Sequence, residues 1–323
     1  VRGLVICVYR SQDQGAVYKV MDVRSNDMKK IETQTDQEVS VKENRLKAIW
    51  HQFRKNKGAM IGLAVTLLII LVAIFADVIW DYQTDVIGMN IPQRFTAPCL
   101  AHPFGTDEYG RDMLARVGYG ARYSLSIGVT AVCIGTAIGL PIGASAGYIG
   151  GRYDAVVMRI LDAFGIIPSI LLSITLVAAL GTSLVNLSLA LAVGSIPVLA
   201  RITRAAVMTV RFNEYVESAH AIGASSFYII FKHILPNCFS SILVQCTLRL
   251  GSSIIAASSL SYIGLGVALP TPEWGALLSS AKNHILKAPY LCLFPGLAIM
   301  VTVMAINLIG DGLRDALDPK MKR

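Results

Sequence analysis

The chain is predicted to be an all-α membrane protein with six spans, and three observations predict it. Of its 323 residues, 54% are hydrophobic and only 15% are charged. Together with a mean hydropathy of +0.57, that balance lies outside the range of ordinary soluble domains. The apolar residues gather into runs of about 20, the length that crosses a hydrocarbon core as helix. The basic residues behind the formal charge of +8 flank those runs. That is the pattern of loops beside a membrane rather than of a nucleic-acid surface.

Residues 1–40 are polar and aperiodic and read as a disordered tail. Met28, followed by Lys29 and Lys30, reads as a native start, so part of 1–27 is expected not to be native. The apolar piece Gly3–Val8 is too short for a signal-peptide core. Over 41–57, Leu46, Ile49, Trp50 and Phe53 recur at helical spacing. Lys42, Arg45, Lys47, Arg54, Lys55 and Lys57 occupy the other faces, which predicts an amphipathic helix on an anionic leaflet.

The first span is read at 59–79, with Trp80 and Tyr82 marking its interface. A long polar loop follows over 81–120. The second span, 123–147, carries Gly135, Gly139, Gly143 and Gly147 on one face. Such a stripe serves either an interface in a pore-forming core or packing within one bundle. Pro141 is a candidate kink. The third span, 156–180, begins with Arg159 and Asp162, read as a pair on one helix face, and holds Pro168 as a further candidate kink. The fourth, 184–205, contains Pro197 and ends in a cluster of Arg201, Arg204 and Arg211.

The fifth span, 239–264, has Arg249 near its middle, where a charge is costly. Arg249 therefore either faces the translocation path and meets a substrate carboxylate, or forms a structural ion pair with a partner subunit. A capped amphipathic segment outside the membrane follows over 266–290. Its Glu273 and Trp274 either touch a docking protein or, more simply, belong to a lid on the bundle. The sixth span, 290–309, holds Pro295 and Asn307 and leads into a tail over 311–323. Of six cysteines, Cys133, Cys246 and Cys292 lie in apolar runs as packing residues, and Cys99 stands in the external loop. No disulfide framework and no metal-ligand spacing is expected.

Between the fourth and fifth spans lies Asn213–Pro236, a stretch too structured for a mere connection. Asn213 can cap a helix carrying Glu214 and Glu217 in its first turn, where carboxylates suit the helix dipole. Gly223 ends that helix. Ser225 can cap a second one, with Phe227, Ile230 and Ile234 on one face and Pro236 as its stop. The stretch is either an amphipathic surface loop or a docking element for a soluble partner. Lys and Arg placement puts this loop and both termini in the cytoplasm.

The chain has no G-x-x-x-x-G-K-[ST] cradle for ATP, and no nucleophile elbow, H-E-x-x-H or triad. It is read as a non-enzyme. An ion-coupled secondary transporter is the alternative class. It calls for paired intramembrane carboxylates or broken-helix repeats, whereas only Asp162 lies well inside a span, near its end, and no repeat is visible.

The loop resembles the signature of ABC importer permeases, E-A-A followed by G and then L-P. Glu217, Ala219, Gly223, Leu235 and Pro236 stand at the matching positions, and Ser218 replaces the first alanine. His233, in H-I-L-P-N, is similar to the peptide/nickel branch. Gly105-Thr106-Asp107 with Gly110-Arg111-Asp112 resembles the same branch. So does the terminal run Gly310-Asp311-Gly312-Leu313-Arg314-Asp315 with Asp318-Pro319. The resemblance covers about 45–323.

It implies the type I importer permease fold, with six transmembrane helices and a cytoplasmic coupling helix. It implies that Glu217, Ser218, Ala219, Gly223, His233, Leu235 and Pro236 form the ATPase-coupling loop. The implied setting is a bacterial inner membrane. The implied partners are a second homologous permease, two ABC ATPase subunits and an extracytoplasmic substrate-binding protein. ATP and Mg would sit on the ATPases, with no cofactor on this chain. The implied cargo is a di- or oligopeptide, with nickel or a metal chelate as the alternative.

Overall fold

A computed structural model describes residues 4–9, 17–22, 47 and 49–317, in two units, Val1–Lys55 and Asn56–Arg323. In the first unit, β1 (Leu4–Tyr9) pairs antiparallel with β2 (Val17–Asp22), with Leu4 opposite Asp22 and Tyr9 opposite Val17. The expected tail over 1–40 is therefore not structureless throughout. Both strands are rich in β-branched and aromatic residues, which suit a pleated pair. The other residues of that tail lie outside the described set. Residues 49–55 are helical (α1), and the Trp50 and Phe53 rings stack with centroids 5.9 Å apart. The start of the expected amphipathic helix, 41–46, lies outside the described residues.

The second unit is a helical bundle. Its elements are α2 (Lys57–Ile79), α3 (Met113–Ile149), α4 (Gly151–Ile166), α5 (Ser169–Leu180), α6 (Leu184–Val210), α7 (Glu214–Ala221), α8 (Ser226–Tyr228), α9 (Leu235–Tyr262), α10 (Trp274–Ala281) and α11 (Tyr290–Leu317). Among the described residues, five helices are long and apolar enough to span a membrane: α2, α3, α6, the continuous run Ser226–Tyr262, and α11. The expected third span is not one rod. It is α4 and α5, bent by 79° at a short break, and the pair makes a sixth span only when counted as one. Pro168 explains the break. It lacks an N–H and pushes Ile167 into extended backbone, with φ −80° and ψ 123°.

The anticipated Arg159–Asp162 pair is also corrected. Asp162 meets Arg201 of α6 at 3.0 Å, and Asp154 meets Arg204 of α6 at 2.5 and 2.6 Å. Spacing along α4 allowed a local pair, but two arginines from the neighbouring helix take both carboxylates.

The glycine stripe of α3 packs inside this bundle, against α6. A Cβ on Gly143 would lie 2.1 Å from the Ala200 carbonyl oxygen, and one on Gly147 would lie 2.8 Å from that of Arg204. Of its two readings, packing within one bundle is the one observed. α2 meets α11 in the same manner, where a Cβ on Gly62 would lie 2.6 Å from the Ala305 carbonyl oxygen. α11 continues to Leu317, so the first residues of the expected tail are helical. Asp315 there accepts a hydrogen bond from Asn56 Nδ2 at 3.1 Å, tying the end of α11 to the start of α2. Asp318-Pro319 lies outside the described residues.

The G-T-D-x-x-G-R-D motif builds a buried knot. The Asp107 carboxylate accepts from Arg111 Nε at 2.7 Å, from Arg116 Nη1, and from the N–H groups of Tyr109 and Arg111 at 2.9 and 3.0 Å. All three charged side chains are buried. Beside it, Glu273 is fully buried and caps α10 by accepting from the Gly275 and Ala276 N–H groups, both at 2.9 Å. The Trp274 indole donates to the Val117 carbonyl at 2.8 Å. Glu273 and Trp274 therefore serve the lid on the bundle. Neither is available to a docking protein.

Candidate functional site

The polar stretch between α6 and α9 is a compact helical element at one end of the bundle. α7 begins at Asn213, whose backbone carbonyl accepts from Val216 N at 2.8 Å and Glu217 N at 3.2 Å. The expected side-chain cap is absent, because the Asn213 amide donates to the Tyr215 hydroxyl at 3.3 Å instead. Val216 and Ala219 are buried, and they seat α7 against Ala144 of α3 and Val207 of α6. Glu217 and Ser218 face outward, and Ser218 Oγ returns to the Glu214 carbonyl at 2.8 Å. Of the signature triplet, the alanine packs while its two neighbours remain accessible.

Gly223 reverses the chain with φ +82°, a region that L side chains avoid. Two hydrogen bonds close the turn, Gly223 N to His220 O at 3.0 Å and Ala224 N to Ala219 O at 3.1 Å. Ser225 then caps α8 as expected, accepting from Tyr228 N at 3.3 Å.

The next segment departs from expectation. Ile229–Ile234 form a π-helical turn that runs straight into α9, and Leu235 N–H reaches back to Ile230 O. Pro236 does not stop the helix. The widened turn lets the backbone carry a residue with no N–H without ending. The widening also changes which residues point inward. Ile229 and Ile234, five apart, are fully buried, while Phe227 is 71% exposed and Ile230 only half-buried. His233 is half-buried, 5.6 Å edge-on from the Tyr228 ring, and its carbonyl accepts from Asn237 Nδ2 at 2.6 Å. Leu235 is half-buried in the same cluster and Pro236 is exposed.

Glu217, Ser218, Ala219, Gly223, His233, Leu235 and Pro236 thus fall within one element. Its outward surface also presents Phe212, Tyr215, Ile222, Phe227 and Phe231, all exposed, with Phe227 and Phe231 rings 4.4 Å apart. Of these five, only Phe227 figured in the sequence reading, as part of the apolar face of the second helix. The signal for the four aromatic ones was rings inside an otherwise polar loop. Phe212, Val216, Glu217 and His220 line a hollow of about 760 Å³ with Tyr148 and Arg211.

Arg249 stands apart from this element. It lies half-buried on α9, and among the described residues no carboxylate pairs with it. A groove of about 800 Å³ between α9 and α11, lined by Ile255, Ser259, Tyr262, Met300, Met304 and Asn307 among others, does not include it.

Residues 139–323 match the family described as binding-protein-dependent transport system inner membrane component. Residues 44–98 match the N-terminal transmembrane domain of oligopeptide transport permease C. The chain is 46% identical over 286 residues to the glutathione transport system permease protein GsiD of Escherichia coli O6:K15:H31, and equally to that of Shigella boydii serotype 4. The match covers 87% of this chain and 94% of each relative. In fold it is similar to a chain of the MetNI methionine ABC transporter in an inward-facing conformation. The TM-score there is 0.55 at 20% identity, over 64% of this chain and 98% of that one.

Proposed function

Because this chain belongs to the family of binding-protein-dependent transport system inner membrane components, a multi-pass permease of ABC importers, we propose that it forms the membrane path for glutathione-like and other short peptides together with a second, homologous permease. Two ATPase subunits drive the cycle from the cytoplasm, and a substrate-binding protein delivers cargo from outside. ATP and Mg are bound by the ATPases and not by this chain. Both termini and the α7 element lie in the cytoplasm, as the placement of Lys and Arg supports.

The observation that carries this reading is the α7 element itself. It pairs a short helix, seated on the ends of three long ones, with an exposed apolar surface at the head of a continuous helix that crosses the membrane. ATP-driven closure of the ATPases moves α7. The motion passes through the buried Val216, Ala219, Ile229 and Ile234 into α3, α6 and α9. The bundle then switches the side to which the path opens. Arg249, half-buried and without a carboxylate partner among the described residues, meets the carboxylate of the passing peptide.

The test is uptake by the reconstituted importer. The chain is co-produced with its partner subunits and the complex placed in proteoliposomes with binding protein. Expected are copurification of a P-loop ATPase and a second permease, and ATP-dependent uptake of labelled glutathione or dipeptide that vanadate stops. Uptake that follows an ion gradient without ATP overturns the importer reading. ATP-driven uptake of nickel or a metal chelate, with peptides ignored, overturns the cargo.

A further inference from the structure

A second cavity lies at the opposite end of the bundle from α7, and the transport reading does not use it. α2 and α11 touch most closely near Gly62. Toward the end that carries the Asp107 loop they part, and a crevice of about 400 Å³ opens between them. Leu68 and Val72 of α2 form one wall, Phe294, Leu297 and Val301 of α11 the other, and Trp274 the floor. Phe104 and Phe294 stack at its loop end with ring centroids 3.9 Å apart and planes within 2°. The volume falls in the range of small-molecule sites, about 300–1,000 Å³.

The lining offers no polar atom in search of a partner. Trp274 Nε1 is taken by the Val117 carbonyl at 2.8 Å, and Thr302 Oγ1 by the Ala298 carbonyl at 2.7 Å. A hydrated ligand entering here would lose its hydrogen bonds without replacement. The rim residues Leu68, Leu297 and Val301 are exposed on the sides of two helices that are themselves apolar enough to span a membrane. What surrounds such a rim is hydrocarbon.

We propose that this crevice is an acyl-chain site, in which one chain of a bilayer phospholipid lies between α2 and α11 against the Trp274 indole. The proposal rests on the chain being a membrane protein and not on its cargo. The lipid acts as a wedge that holds α2 at a fixed angle to α11.

The experiment is photocrosslinking in the intact importer complex. Nanodiscs are prepared with phosphatidylethanolamine carrying a diazirine in mid-chain, illuminated, and labelled peptides mapped by mass spectrometry. Trp274 is almost fully buried, so label there reports a chain inside the crevice, while label on exposed Leu67 or Ile74 reports bulk lipid. Label on Trp274 or Phe294 is expected, lost to background in Val72→Phe and in Ala298→Phe, with bulk label unchanged. If one variant fails to assemble, the other serves. Label at Leu67 with none at Trp274 overturns the proposal, because the crevice is then empty or filled by a partner helix. Label at Trp274 that survives both plugs overturns it equally.

Discussion

Replacing Gly223 isolates the conformational demand of the turn after α7. Gly223 has φ +82°, and a Cβ built there meets no atom within 4 Å. Size is therefore not what selects glycine. The cost of a side chain is backbone strain alone, about 1–2 kcal/mol for an L-residue held in the left-handed region. That corresponds to a factor of about 5–30 in the population of the native turn. Asparagine tolerates this region better than alanine, so the order of function is Gly223, then Gly223→Asn, then Gly223→Ala. α7 itself stays seated through Val216 and Ala219, so protein level in the membrane is unchanged. The assay is ATPase subunit retained after detergent extraction, with peptide-stimulated ATP hydrolysis measured on the same preparations. Alanine equal to glycine refutes the strain argument. Asparagine weaker than alanine refutes it too, because bulk would then be the cause.

Gly143→Leu drives a side chain into the Ala200 carbonyl, 2.1 Å from the position of its first carbon. It is expected to part α3 from α6 and to remove the protein from the membrane fraction, read by immunoblot after protease challenge. Asp107→Asn leaves two buried arginines without their carboxylate, a change worth about 3–5 kcal/mol when a buried pair is broken. A thermal-shift measurement on the purified complex is expected to show marked destabilisation, and an unchanged midpoint would mean that the knot is solvated. Arg249→Met is expected to lower uptake of a dipeptide with a free carboxyl terminus but not of its amide, at unchanged expression. Equal uptake of both by the variant and the parent removes the substrate role.

What the sequence disclosed follows the range of the interactions. The long apolar runs other than the third, the Ser225 cap and the Gly223 turn depend on residues within a few positions of each other, and each is found as read. The glycine stripe was visible, but which of its two uses applied depended on α6, about sixty residues away. The partner of Asp162 was missed for the same reason. A local arginine was in reach by spacing, and a distant one in fact binds it. Pro168 read as a kink within one span and Pro236 as a helix stop, and the structure reverses the two. The first breaks the chain between α4 and α5. The second is absorbed by a wider turn. Glu273 and Trp274 were legible as either a docking contact or, more simply, a lid, and it is α3 that buries them and decides for the lid.

The π-helical turn at Ile229–Ile234 fixes an angular phase. Ser226–Tyr262 is one uninterrupted helix, so the heading of the Phe227 and Phe231 rings and that of the residues deep in the bilayer are locked like two cranks on one shaft. Each residue of an α-helix advances the heading by about 100°, one turn being 3.6 residues. The wide turn is equivalent to a single residue slipped into that shaft. Deleting one residue there would restore an ordinary helix and swing the whole α7–α8 element by roughly that angle about the axis of α9. The loop would keep every side chain of its signature and aim them in the wrong direction.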